Sequence, residues 1–314
     1  MRTFLLKRLP SGLLVLVLAS FAVFLILRLI PGDPAASLAG PDASTATVEA
    51  IRTRLGLDQP LFGQYLGWLG DLLSGDLGPS YAIGGQVTDL IGNGLGATAQ
   101  LALGALVLVV LIALPLAVAG ATARRRPVAA ALQAVTTAVL AIPPFVTGVV
   151  LVLVFAVSLE LLPAGGRESL LDAPDLAVQY LAMPALCLAL PSAAVLARYL
   201  KDGIERALAE DYVRTATALG VSRRRIVWRH ALPNALPSAV TVLGLQVGHL
   251  IAGAVLVERI FAWPGLGRLI EQGVARRDYP VVQDLLLLVV AVYVAVQLLT
   301  DLAYAWLDPR IRWE

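Results

Sequence analysis

"EDYVRTATALGVSRRRIVWRHALPN", residues 210–234, is a cationic island between two oily runs. The flanking windows, about 177–197 and 236–257, are each long enough to cross a bilayer core as a helix, which takes ~20 apolar residues. Four more such windows occur, at about 9–30, 99–121, 132–157 and 284–305. Composition agrees: 58% of residues are hydrophobic, 15% are charged and the mean hydropathy is +0.80. Ordinary soluble domains are about a quarter charged. A chain this apolar cannot clothe itself in polar side chains, so lipid is its solvent. The expected fold is all-α, a polytopic membrane protein with six transmembrane helices.

Details of the windows refine this. "MRTFLLKR" looks like a signal n-region, but the apolar stretch after it is longer than an h-region and no small-x-small cleavage site follows. The first span is therefore expected to stay as an anchor. In the third window "AIPPF" (141–145) removes two helix donors at Pro143 and Pro144, so a kink is expected rather than a break into two spans. The single cysteine, Cys187, excludes an intrachain disulfide.

Arginine and lysine set the orientation. With the N-terminus inside, 16 of the 24 basic residues fall on the inner side, including Arg124–Arg126 and eight between Arg198 and Arg229. Of the 22 acids, 15 fall outside. The positive-inside rule then puts both termini and residues 210–234 in the cytoplasm. The longest outer segment, 31–97, holds two helical patterns. "VEAIRTRLG" (48–56) aligns Val48, Ile51 and Leu55, with Gly56 able to close the helix. "PLFGQYLGWLGDLLSG" (60–75) carries Tyr65 and Trp68 at a spacing that suits a surface helix at the membrane boundary. Such helices commonly do no more than cap the spans. The other outer loop, 258–283, turns at Pro264 before a further short helical pattern. "GNGLG" (92–96) has no strand before it and reads as a flexible lead into a span.

Several chemistries are excluded. The only lysines, Lys7 and Lys201, do not follow a glycine loop, so no phosphate-cradling GxxxxGK[ST] exists. Two histidines, His230 and His249, cannot build HExxH or a multi-histidine metal site. No catalytic residue, cofactor or metal is expected in this chain, and no nucleic-acid interface. Charges cluster at span ends (Arg28, Arg198, Glu258, Asp301), which argues against a proton-coupled pump. His249 beside Gln246 is the one titratable group at depth. It could line a substrate path, or it could hydrogen-bond a neighbouring helix, the commoner fate of a buried polar group.

The island itself reads as two short helices at an angle. Ile204, Leu208, Tyr212, Ala216 and Leu219 recur at helical spacing. Gly220 suits a left-handed helix end, Ser222 can cap a second helix from Arg223, and Pro233 is expected to stop it. Arginines gripping anionic lipid would account for Arg223–Arg225. A docking element, its apolar stripe entering a partner's groove, accounts also for Tyr212, Leu219 and the glycine hinge.

These residues carry a resemblance. The segment resembles the cytoplasmic signature loop of ABC-importer permeases, EAA-x3-G-x9-I-x-L-P. Arg214, Thr215 and Ala216 occupy the EAA positions, Gly220 the glycine, and His230, Leu232 and Pro233 the end. "DYVRTATALG" departs at Arg214 and Thr215 but is similar to the dipeptide/oligopeptide branch, where "DYVRTARAKG" is typical; Thr217 and Leu219 replace that branch's basic residues. "LIPGDPA" (29–35), "RLGLDQPLFGQYLGWLGDLLSGDLGPS" (54–80), "WPGLGRLI" (263–270), "RDYPVVQ" (277–283) and "LDPRIR" (307–312) look like the B-type peptide permeases in the same order.

The resemblance implies the type I ABC importer permease fold. Residues 1–93 would form the first span with an extracytoplasmic amphipathic segment. Residues 94–305 would form the permease core with its coupling loop, 200–234, and 306–314 a cytoplasmic tail. It implies that Asp211, Tyr212, Arg214, Thr215, Ala216, Leu219, Gly220 and Val221 dock an ATPase. The partners would be a second related permease, two ABC ATPase subunits carrying ATP and Mg, an extracytoplasmic solute-binding protein and membrane lipid in the bacterial inner membrane. The implied cargo is di- or oligopeptide. The same architecture serves nickel and glutathione systems, and an ion-coupled secondary transporter is the rival class.

Overall fold

The computed structural model describes residues 2–30, 32–40 and 42–307, and among them the protein is helical with no strand. The tail from 308 onward, with most of "LDPRIR" and its two arginines, lies outside the described residues. In chain order the helices are α1 (Arg2–Leu29), α2 (Pro34–Ala39), α3 (Thr45–Arg54), α4 (Leu61–Ser74), α5 (Val87–Thr122), α6 (Arg126–Ala141) and α7 (Pro144–Leu151). There follow α8 (Pro174–Ala209), α9 (Asp211–Ala218), α10 (Arg223–Ile226), α11 (Leu232–Ile260), α12 (Leu266–Arg276) and α13 (Tyr279–Leu307).

Five stretches are long and apolar enough to cross a membrane: Arg8–Leu29, Val87–Thr122, Pro174–Ala209, Arg223–Ile260 and Tyr279–Leu302. A sixth arises if α6 and the helical stretch Pro144–Ser158 count as one. The break between them turns the chain by 100°, far more than the kink expected from sequence. The cause is the proline pair. A residue before proline is pushed out of the α region, and here that applies twice running: Ile142 sits at φ −85, ψ 122 and Pro143 at φ −59, ψ 140. The far limb is seated by Gly148, whose missing side chain admits Ile260 and Cys187. The Cys187 thiol also donates to the carbonyl of Pro144 at 3.2 Å.

The chain divides into two compact units, one of residues 98–263 with the chain from 295 onward, the other of 2–97 with 264–294. In the first unit the main packing is α8 on α11. Buried Ala189, Ala193, Ala197, Leu200 and Ile204 lie beside buried Cys187, Leu188, Ser192, Ala194 and Leu196, so α8 is enclosed around most of its circumference. Small residues allow backbones to approach where lipid offers no hydrophobic drive. At Gly203 a Cβ would stand 3.0 Å from the Cβ of Ala235, and at Gly253 it would stand 3.0 Å from a methyl of Leu188. Gly203→Leu should therefore cost about 1–3 kcal/mol by overpacking, seen as a lower thermal midpoint in detergent. Gly203→Ala should fail to deliver the roughly 1 kcal/mol that alanine normally returns inside a helix. Glu258, placed by sequence near a span end, is fully buried and accepts the Thr98 hydroxyl at 2.6 Å.

In the second unit α4 is anchored by one buried side chain while most of the helix stays exposed. Tyr65 is buried, its hydroxyl 2.9 Å from that of Ser20, and it meets Phe21 and Phe24 edge-on at centroid distances of 5.6 and 5.4 Å. The rings of Tyr65 and Trp68 thus pack on α1, while Leu61, Phe62, Leu66 and Leu73 leave the rest of α4 exposed. "GNGLG" is likewise not a flexible lead but part of α5. Val87, Ile91, Leu266, Leu269, Val281 and Leu285 form one apolar cluster. Gly94 sits where a Cβ would be 3.0 Å from Leu266 and 3.4 Å from the backbone of Gly265. The glycine serves close approach here, and burial of its neighbours outweighs its low helix propensity.

Candidate functional site

The stretch expected to be a coupling loop, 200–234, starts in the last turns of α8 and leaves that helix at Ala209. Glu210, extended at φ −71, ψ 153, is at once the last cap of α8 and the first of α9. The apolar stripe read as one face is thus split between two helices. Ile204 is buried in the first unit's core, whereas Tyr212 is 37% exposed and Leu219 is 78% exposed. Gly220 has φ +80. Its N–H donates to Thr217 O at 3.0 Å, and the Val221 N–H reaches back to Ala216 O at 3.0 Å. This pair of reversed bonds is the Schellman termination, which needs a left-handed residue at its centre. No atom lies within 4 Å of where a Gly220 Cβ would be. The glycine is required by its backbone alone.

Ser222 occupies the capping position before α10, but its side chain makes no capping hydrogen bond. Pro233 does not stop the helix. A π-helical turn, Val227–Ala231, precedes it, and the helix continues from Arg223 to Ile260. A wider turn absorbs the missing proline donor and the ring's bulk. The second expected short helix is therefore one end of a long span, continuous with α11.

Sequence reasoning missed the strut between α9 and α11. The Asn234 amide donates to the Tyr212 hydroxyl and to the carbonyl of His230, both at 3.0 Å. Nothing local in the sequence marks a bond spanning 22 positions. Thr215 and Thr217 turn their hydroxyls back on the carbonyls of Asp211 and Val213. Asp211 and Arg214 form an ion pair at 3.2 Å with both side chains open to solvent, an arrangement worth little by itself. What faces outward is apolar and cationic: Leu219 at the tip, and half-exposed Trp228 among Arg224, Arg225 and Arg229. A surface of this kind, apolar knobs rimmed by cations, suits docking into a partner's groove.

Gln246 and His249 do not share an environment. Gln246 is buried, while His249 is exposed and its imidazole makes no hydrogen bond among the described residues. Among those residues there is also no group of three His, Cys, Asp or Glu side chains able to hold a metal.

Comparison with known proteins adds the context. Residues 110–313 match the family described as binding-protein-dependent transport system inner membrane component, and residues 1–102 match its N-terminal companion. The chain is 41% identical over 321 residues to a probable D,D-dipeptide transport system permease of Escherichia coli K12, covering 95% of this chain and 94% of that one. It is 37% identical to a probable peptide ABC transporter permease of Sinorhizobium fredii, over 100% of both chains. It is 36% identical to the glutathione transport system permease of Escherichia coli K12, again over 100% of both. Among solved structures, the inward-facing methionine ABC transporter aligns with a TM-score of 0.59 at 18% identity, over 70% of this chain and 96% of that one. That likeness speaks for the fold alone.

Proposed function

Because the chain belongs to the family of binding-protein-dependent transport system inner membrane components, and is the permease subunit of an ABC importer, we propose that it forms half of a translocation path for short peptides. Three relatives that match almost end to end carry the names of D,D-dipeptide, peptide and glutathione systems. Their common chemistry is amino acids joined by amide bonds, and that single observation supports the cargo.

The partners would be a second related permease, two ATPases and an extracytoplasmic binding protein. ATP and Mg would be held by the ATPases. The exposed Leu219 knob, the Gly220 turn and α9 would sit in an ATPase cleft. Closure of the ATPases on nucleotide would move α9, and the Tyr212–Asn234 strut would pass that motion to α11. Nucleotide must favour one state over the other, since equal affinity shifts nothing. Gln246 and His249 on α11 are the residues proposed for the path.

The test is uptake of labelled dipeptide into proteoliposomes holding the permeases and ATPases, with binding protein outside and ATP supplied to the ATPase face. Uptake should require both ATP and binding protein. Uptake driven by an ion gradient without ATP would overturn the reading. Topology is tested separately with Leu219→Cys, since native Cys187 is buried and gives little background. A membrane-impermeant maleimide should label Cys at 219 in inverted vesicles and not in right-side-out ones. Labelling in right-side-out vesicles would place both termini outside.

A further inference from the structure

The second unit contains a cavity of about 460 Å³ between α1, α4, the 76–81 turn and the start of α13. Two side chains of opposite charge line it, each with an atom that has no hydrogen-bond partner among the described residues. Arg28 donates through Nε to Gln64 at 3.0 Å and lies 4.8 Å from the Phe24 ring centroid, but its buried Nη1 has no partner. Asp284 is 3% exposed; its Oδ1 accepts the Trp68 indole N–H at 2.8 Å, and its buried Oδ2 has no partner. Buried polar atoms are otherwise almost always bonded, and an orphaned charge is the most costly exception. Cavities of this size are typical of small-molecule sites.

We propose that this cavity binds a small zwitterion, with its ammonium on Asp284 Oδ2 and its carboxylate on Arg28 Nη1. Asp71 and Asp76 also line the cavity, so negative charge predominates and the ammonium end is held more strongly than the carboxylate. Trp68, Tyr81 and Tyr279 supply aromatic walls, surfaces that favour an organic cation over a hydrated metal ion. A free amino acid and a short peptide share this chemistry and differ in the distance between their charges. On the proposed topology the cavity lies on the extracytoplasmic side, where it would hold cargo between the binding protein and the path. The binding chemistry does not rest on the import reading, so failure of either is seen separately.

The test is calorimetric titration of the full-length chain in detergent with L-alanyl-L-alanine and with L-alanine, which separates peptide from amino acid. N-acetyl-alanyl-alanine removes the ammonium, and alanyl-alaninamide removes the carboxylate. One free zwitterion should bind saturably, and each blocked dipeptide should bind about tenfold or more weakly, as expected for a lost charge-assisted hydrogen bond. Asp284→Asn keeps an acceptor for Trp68 but puts an amide N–H₂ where the ammonium would sit. It should abolish discrimination between free and N-acetylated dipeptide, which a merely structural role would not do. Arg28→Gln should abolish discrimination between acid and amide. No saturable binding of either zwitterion, equal binding of blocked and free forms, or undiminished discrimination in Asp284→Asn would each overturn the proposal. The blocked-ligand comparison uses the native chain, so a misfolded variant does not rescue it.

Discussion

Gly220→Val is expected to strip the permease of its ATPase and stop ATP-driven uptake while leaving the membrane-spanning helices folded. The reason is conformational. Gly220 holds φ +80, and no atom lies within 4 Å of where a Cβ would stand, so the substitution meets no neighbour and its cost is all backbone. A non-glycine residue in the left-handed region costs roughly 1–2 kcal/mol, and more for a β-branched one. If the turn relaxes to escape that strain, the two reversed hydrogen bonds from Gly220 and Val221 are lost and Leu219 changes direction relative to Arg223. On population arithmetic, about 2 kcal/mol reduces the docking-competent form roughly thirtyfold. Gly220→Asn should retain most docking, because asparagine tolerates the left-handed region. The measurement is co-purification of tagged ATPase with the permease, alongside uptake in the same preparation. If Gly220→Val recovers ATPase and transports as the native chain does, the Gly220 turn is not the docking element.

That left-handed turn is legible in the sequence because one residue type alone fits it comfortably. The spans are legible for the same kind of reason: an apolar window of bilayer length has few other fates. What the sequence conceals is relational. Two adjacent prolines announce a disturbance but not its size, since the 100° turn depends on both Ile142 and Pro143 leaving the helical region. Pro233 looks like a stop when its effect is taken locally; the π turn one step earlier accommodates it and keeps α11 joined to the coupling segment. Gly94 resembles slack unless Leu266, far along the chain, is known to lie against it. Within the coupling segment the residue types are readable, but the Tyr212–Asn234 strut is not. Charged residues are the hardest class. Asp278, Asp284 and Glu258 look solvated beside hydrophobic runs, yet all three are buried, each against groups supplied by distant parts of the chain.

Asp278→Ala is expected to open the second unit locally, with a larger stability loss than Gly203→Leu or Gly220→Val. The Asp278 side chain is fully buried. Its Oδ2 accepts the Ser80 hydroxyl and the N–H groups of Ala82 and Ile83, the latter two at 2.8 and 3.1 Å, and Oδ1 accepts the Tyr81 N–H at 3.1 Å. The Ser80 oxygen in turn accepts from the N–H groups of Ile83 and Gly84, both at 2.9 Å. One carboxylate therefore organises the whole 80–84 turn, satisfying donors that no strand or helix serves. Removing it takes four hydrogen bonds to a charged acceptor from a part-buried turn and leaves the Tyr81 and Ala82 N–H groups without an acceptor, a loss of ~3–5 kcal/mol. Asp278→Asn should recover little, because its amide keeps one carbonyl acceptor and turns a donor toward donors. Ser80→Ala, which loses one bond to the carboxylate, should cost nearer ~1 kcal/mol. Hydrogen-exchange mass spectrometry of the detergent-solubilised chain reads this directly. In Asp278→Ala and Asp278→Asn, amides 81–83 should exchange about a hundredfold or more faster, while the α8–α11 pair keeps its native protection. Unchanged exchange at 81–83 in both variants would show that the turn holds itself and that Asp278 is buried for another reason.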